Sequence, residues 1–191
     1  MIVIKLGGTN GSGKSTLARA IIKAKAMKPV HNEAGKITGY AGGGWLVLGR
    51  YETACGGMDT LPDKHVVRAT IEAALKSGAE VVFFEGLITG KTYGAIGEIS
   101  ERADGNTWVY AFMDTPFEEC VRRVYERRQA AGNSSLFDPE RTMRPTYRSV
   151  EATAVRAEVQ GHTIHRINHK LLPEQAVKDL ERLCSKLRRR K

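Results

Sequence analysis

The sequence predicts a single α/β domain, a parallel sheet with helices on both faces, and three observations lead there. Strand-like and helix-like segments alternate along 191 residues with no long linker, repeat or low-complexity insert. The β-branched run Ile2 to Leu6 passes directly into Gly7-Gly8-Thr9-Asn10-Gly11-Ser12-Gly13 and then into a helical pattern to about Ala26. A short apolar run, Val81 to Phe84, ends in an acid, Glu85, and reads as a central strand.

The remaining elements follow in chain order. Residues 35–51 read as a glycine-rich hairpin, with Lys36 to Tyr40 and Trp45 to Tyr51 as arms around Gly42-Gly43-Gly44. A helix from about Pro62 places Val67, Ile71, Ala74 and Leu75 on one side and ends at Gly78. Trp108 to Asp114 is a further buried strand. Thr115-Pro116-Phe117-Glu118 then reads as a capping box with proline at the first helical position, opening a helix whose apolar stripe is Phe117, Cys120, Val121, Val124 and Tyr125. Arg123 and Arg127 lie one turn apart on another face of it. Thr163 to Ile167 is the last strand, and from Pro173 a final helix carries Ala176, Val177, Leu180, Leu183, Cys184 and Leu187 at core spacing.

Composition bounds the function. With 41% hydrophobic and 27% charged residues the chain has enough apolar surface for one core, and no apolar stretch approaches the roughly 20 residues that cross a bilayer. The N-terminal residues lack the pattern of a secretory signal, so a cytoplasmic location is expected. Cys55, Cys120 and Cys184 show no paired or metal-ligand spacing; reduced thiols and no structural metal are expected. His162, His165 and His169 cluster, yet a strand would point His162 and His165 to opposite faces, which favours surface histidines over a metal site. The net charge of +9 is unevenly placed. Residues 1–119 and 149–185 are neutral by count, whereas 120–148 carry seven Arg against three acids, and 186–191 add five cations. That tail is either a solvated helix end suited to the helix dipole or a phosphate-binding segment.

Gly8-Thr9-Asn10-Gly11-Ser12-Gly13-Lys14-Ser15 matches G-x-x-x-x-G-K-[ST] in full, with Thr16 following. Glycines there let backbone N–H groups turn inward around phosphate oxygens, the helix N-terminus adds positive potential, Lys14 reaches the β- and γ-phosphates, and Ser15 ligates Mg²⁺. Glu85, at a strand end followed by Gly86, stands where a second metal-organising acid belongs; the alternative is a solvated strand-end carboxylate. Arg122, Arg123, Arg127 and Arg128 precede Gly132-Asn133-Ser134-Ser135, and Arg141, Arg144 and Arg148 follow it, which reads as a lid over about 129–146. Arg123 and Arg127 are the leading candidates for stabilising transferred phosphoryl charge, and some of the seven are ordinary surface arginines.

These motifs, with Phe84-Glu85-Gly86, the run Phe112 to Cys120 and the arginine helix, resemble the small P-loop kinases of the nucleoside, nucleotide and polynucleotide kinase group, over nearly the whole chain. The resemblance implies a P-loop NTPase fold with a five-stranded parallel core, an arginine-rich lid, ATP and Mg²⁺ as cofactors, and Asn168 as an adenine-side residue. In such kinases the segment equivalent to Gly49 to Thr60 binds the acceptor, which makes Asp59 the candidate base. Gly56-Gly57 would let the backbone approach a substrate, and Arg50 and Tyr51 would bind phosphate and stack on a base. Alternatively Met58-Asp59-Thr60 only caps the next helix. The Cys-Gly-Gly-x-Asp segment is similar to one in bacteriophage hydroxymethyluracil DNA kinases, which implies DNA as acceptor, a target base flipped out of a duplex, and Tyr51 or Trp45 stacking on it. Two rival readings stay open: a soluble nucleoside, nucleotide or small-metabolite kinase, and a non-catalytic ATP- or nucleic-acid-binding module.

Overall fold

The computed structural model of the chain describes residues 1–53, 56–86, 93–100, 105–133 and 135–189. Cys55 of the acceptor segment, Ser134 of the lid stretch and the last two cations of the tail lie outside the described residues. Seven described strands form one sheet in the order β2-β3-β4-β5-β1-β6-β7. They are β1 Ile2–Gly7, β2 Lys28–His31, β3 Ile37–Gly42, β4 Trp45–Leu48, β5 Val81–Glu85, β6 Thr107–Asp114 and β7 Thr163–Asn168.

Five of them, β4, β5, β1, β6 and β7, run parallel, and β3 and β2 extend that core antiparallel at one edge. The expected five-stranded parallel core is thus part of a seven-stranded sheet. Strand β4 explains the difference: it is an arm of the hairpin with β3 and also the parallel neighbour of β5. Strand β2 was not legible in sequence because it is exposed throughout and contains Pro29, a residue tolerated only at a sheet edge.

Alternation along β1 divides the core. Ile2, Ile4 and Leu6 pack under α1 (Lys14–Ala24) and α7 (Pro173–Arg188), whose Ala176, Val177, Leu180 and Cys184 are buried. Val3 packs on the opposite face with residues of α2 (Lys64–Ala74), α3 (Tyr93–Ser100) and α6 (Arg144–Val159). Phe117, Cys120 and Val124 of α4 (Phe117–Ala130) form a smaller cluster with Met143, just after the short α5 (Pro139–Thr142). No helix of the described residues is long and apolar enough to cross a membrane.

Two expected caps are corrected. Helix α2 starts at Lys64, and Asp63 accepts from the backbone N–H of His65 and Val66, so the cap is Asp63 and not Asp59 or Thr60. The box at Thr115 does not form: Pro116 is the N-cap residue, without a side-chain cap bond, and α4 begins at Phe117. The Thr115 hydroxyl instead donates to the Ser12 carbonyl at 2.9 Å, tying β6 to the phosphate loop. The three histidines diverge. His162 stacks on Tyr110, His165 pairs with Asp179 at 2.7 Å, and His169 bonds the Asp114 carbonyl.

Candidate active site

Parallel strands deliver their C-terminal ends to one edge of the sheet, and ligands of α/β folds bind there. Leu6 pairs with Glu85 across β1 and β5, so the glycine loop that leaves β1 emerges beside the carboxylate that ends β5. The loop is held from two sides. Ser12 N–H donates to the Thr9 carbonyl, and the Lys14 ammonium donates to the same oxygen at 3.1 Å. On the other side α4 presses against it: a β-carbon on Gly11, whose φ is +77°, would stand 2.3 Å from the Cys120 carbonyl oxygen. Gly8 lies beneath, against the Ser12 side chain.

Ser15, the second residue of α1, donates its hydroxyl to Glu85 Oε1 at 2.8 Å. Glu85 is only 1% exposed. Burial pushes its pKa up, while Lys14 and the Ser15 hydrogen bond oppose that; the Asp59 charge raises it again and Arg19 lowers it. Asp59 sits in a separate 3₁₀ turn, Met58–Thr60, that follows the glycine pair. Gly57 brings this turn against β5: its φ is +84°, and a β-carbon there would stand 2.6 Å from Glu85 Oε1.

A cleft of about 540 Å³ opens over these groups. Asn10, Gly11, Ser12, Gly13, Lys14, Ser15 and Thr16 line its floor; Gly56, Asp59, Thr60 and Glu85 line one side, and Arg123, Arg127 and Asn168 the other. Most site residues expected from sequence therefore share one space. Arg123 reaches it while bonded to Glu119 at 2.7 Å and more weakly to the Gly11 carbonyl. Arg127 has no ion pair among the described residues and is exposed.

Three expectations fail on burial or direction. Arg50 does not line the cleft; it is exposed beside Glu52, 3.5 Å away, and its backbone bridges to Gly57. Tyr51 is buried in the core with its hydroxyl donating to the Leu48 carbonyl, so no base can stack on its ring. Trp45 is buried as well, with the Lys25 ammonium 4.7 Å above it.

Arg19 is the residue that sequence reading missed. It lines the cleft and donates from Nε to the Tyr51 carbonyl at 3.2 Å and from Nη2 to the Thr53 carbonyl. A signal existed, since Arg19 lies four residues beyond Ser15 and hence on the same helix face. His169, Leu171, Pro173 and Ala176, around Asn168, complete the cleft wall.

The loop suits a phosphate and the Ser15–Glu85 pair suits Mg²⁺. Among the described residues the Ser12 and Thr9 hydroxyls are buried without a hydrogen-bond partner, within a loop wound to present its backbone. Ser15 and Glu85 offer hard oxygen donors. Among the described residues no group of three or more His, Cys, Asp or Glu could hold a metal alone. Mg²⁺ does not require one, since it retains waters and completes its shell with substrate phosphates.

A family profile described as 5-hmdU DNA kinase matches residues 3–166. The 5-hmdU DNA kinase of Pseudomonas phage M6 is 30% identical over 202 aligned positions, covering 98% of this chain and all of that protein. That of Pseudomonas phage PaMx11 is 36% identical over 135 positions, 67% of this chain and 70% of its own. That of Delftia phage PhiW-14 is 32% identical over 170, 78% and 62% respectively. Among solved structures, a deoxyadenosine kinase from M. mycoides superposes with a TM-score of 0.50 at 11% identity, covering 97% of this chain and 99% of that one, a likeness of fold alone.

Proposed function

The chain belongs to the 5-hmdU DNA kinase family, and from that premise we propose that it transfers the γ-phosphoryl group of ATP to the hydroxymethyl oxygen of 5-hydroxymethyluracil within DNA. The observation that carries the reading is the convergence, in one cleft, of a complete phosphate loop, the Ser15–Glu85 pair and a second carboxylate, Asp59, on a turn packed against Glu85.

In this reading the loop amides and Lys14 hold the β- and γ-phosphates, and the N-terminus of α1 adds positive potential. Ser15 and Glu85 would hold Mg²⁺, which when bound would neutralise charge developing on the phosphate oxygens. Asp59 accepts the proton of the acceptor hydroxyl as its oxygen forms the new P–O bond and the bond to the ADP oxygen breaks. Arg123 and Arg127 reach the same space from α4 and match phosphate geometry with guanidinium donors. Asn168, with Leu171, Pro173 and Ala176, forms the wall for the nucleotide base, and the stretch 129–146 acts as the lid. Arg19 supports the acceptor side by fixing the backbone at Tyr51 and Thr53. Because Tyr51 and Trp45 are buried, a flipped base is held by something other than their rings.

The test is incubation of a hydroxymethyluracil-containing duplex with γ-labelled ATP and Mg²⁺, followed by mass analysis of the digested nucleosides. One added phosphate on the modified nucleoside is expected. Lys14→Ala, folded as judged by circular dichroism, should lose at least ~100-fold in turnover, the typical cost of one electrostatic stabiliser. Phosphate transfer to free nucleoside with none to DNA would overturn the acceptor while leaving the kinase in place.

A further inference from the structure

Residues 149–185 are electrically neutral by count, yet exposed cations recur along one side of α7. Of its three acids, Asp179 pairs with His165 at 2.7 Å and Glu181 with Lys25 at 2.8 Å, while Glu174 is exposed in the first turn. Its cations Lys178, Arg182 and Lys186, with Arg189 at its C-terminal cap, are all exposed and form no ion pair among the described residues, whereas Arg188 pairs with Glu80 at 2.8 Å. Their spacing of four, four and three residues keeps them on one side of the helix. With Glu181 and Ser185 they line a shallow groove along the helix surface.

Cations in the last turn of a helix need no further explanation, because they suit the dipole there. Lys178 and Arg182 stand in the interior of α7, where the dipole offers nothing. The stripe shares its helix with the cleft: Pro173 and Ala176, in the first turn of α7, line the cleft wall, and Lys178 lies two residues further on, on a different side of the helix. At 1.5 Å per residue the stripe runs roughly 16 Å from Lys178 to Arg189. That is about the length of 5 base pairs along a duplex axis.

We infer that this face of α7 is a track for the phosphate backbone of double-stranded DNA, holding the duplex on one side of the target base. The inference rests on the DNA reading of the cleft and adds an asymmetry to it. Contacts of this kind position the duplex without reading its sequence. Their affinity falls with salt in proportion to the phosphates neutralised.

The experiment compares wild type with Lys178→Gln/Arg182→Gln and with Lys36→Gln/Lys76→Gln, which removes the same charge from exposed lysines elsewhere. Fluorescence anisotropy with an unmodified duplex, without ATP, reads binding alone. The α7 variant should bind roughly tenfold or more weakly, with its log–log salt slope shallower by about 2, while the control variant stays near wild type. In the kinase assay KM for DNA should rise in the α7 variant with KM for ATP and kcat unchanged. In wild type, trimming the duplex below about 5 base pairs on one side of the target should raise KM, and the α7 variant should lose that dependence. Equal weakening in both variants, or unchanged binding in the α7 variant, would overturn the track. Failure of wild type to phosphorylate the modified base in DNA would sink the acceptor reading instead, and anisotropy still decides whether α7 carries duplex DNA.

Discussion

Gly57 and Glu85 meet so closely that the smallest side chain on the glycine would stand 2.6 Å from the carboxylate oxygen Oε1 and 2.5 Å from the Glu85 carbonyl. The turn that carries Asp59 is thereby set in register with the group that bonds Ser15. Gly57→Ala would be strained by its φ of +84° and by that contact, and the clash falls on backbone, which cannot swing away. The expected outcome is a folded protein with turnover reduced about 100-fold, the usual consequence of a misplacement near 1 Å. Steady-state kinetics beside circular dichroism checks it; wild-type turnover would show that the contact positions nothing.

The two carboxylates of the cleft should be separable. Glu85 is buried, and burial raises its pKa, so the fold favours its protonated form. A raised carboxyl pKa gives stability that is complete below the unfolded value and lost as pH rises through the folded one, which makes ionised Glu85 a cost near neutrality. Glu85→Gln should therefore raise the melting temperature of the protein measured in EDTA, while turnover needs more Mg²⁺. Asp59→Asn should lower turnover with little change in Mg²⁺ dependence. Identical Mg²⁺ titrations for the two variants would dissolve the division of roles.

Arg19 offers a test of the acceptor side. Its guanidinium spans from α1 to the carbonyls of Tyr51 and Thr53, so Arg19→Met removes the tie but keeps the aliphatic stem. KM for the acceptor should rise several-fold with KM for ATP unchanged. A change confined to ATP would place Arg19 with the phosphates instead.

How much of this was readable beforehand follows from the physics of each part. The phosphate loop is legible because its chemistry lies in consecutive residues, and Glu85 because an acid closing an apolar strand is conspicuous. Burial of Tyr51 and Trp45 was not legible: an aromatic beside a loop looks the same in sequence whether it faces solvent or core, and tertiary packing decides. Thr115 fitted the pattern of a helix cap, yet its hydroxyl found the Ser12 carbonyl 103 residues away, a partner no local pattern announces. Charge counting by segment also misled at α7, since a neutral sum hides a row of exposed cations along one side of the helix.

Lys5 is a buried cation the proposed mechanism does not use, and its titration makes a definite prediction. It lies on β1 between Phe84 and Tyr110, 1% exposed, and among the described residues its ammonium nitrogen has no hydrogen-bond partner. The Tyr110 ring 4.6 Å away is a weak replacement for water. Burial lowers its pKa from 10.5 to about 7. Between those values the unfolded chain binds a proton that the folded one refuses, so stability rises with pH across that window and the full penalty applies below it. A drop of this size corresponds to about 5 kcal/mol, an upper bound if the amine finds water on relaxation. Lys5→Met keeps the unbranched stem and removes the charge, and should stabilise the fold by a few kcal/mol at pH 7, roughly 5–10 °C in Tm for a chain of this size. At pH 10 the wild-type amine is neutral in the fold and only partly protonated when unfolded, so the gap between the two melting temperatures should narrow sharply. Thermal melts of both proteins at pH 7 and pH 10 decide the matter. A gap that stays constant, or a variant less stable than wild type at pH 7, would mean that the ammonium is satisfied in the fold and that its burial carries no penalty.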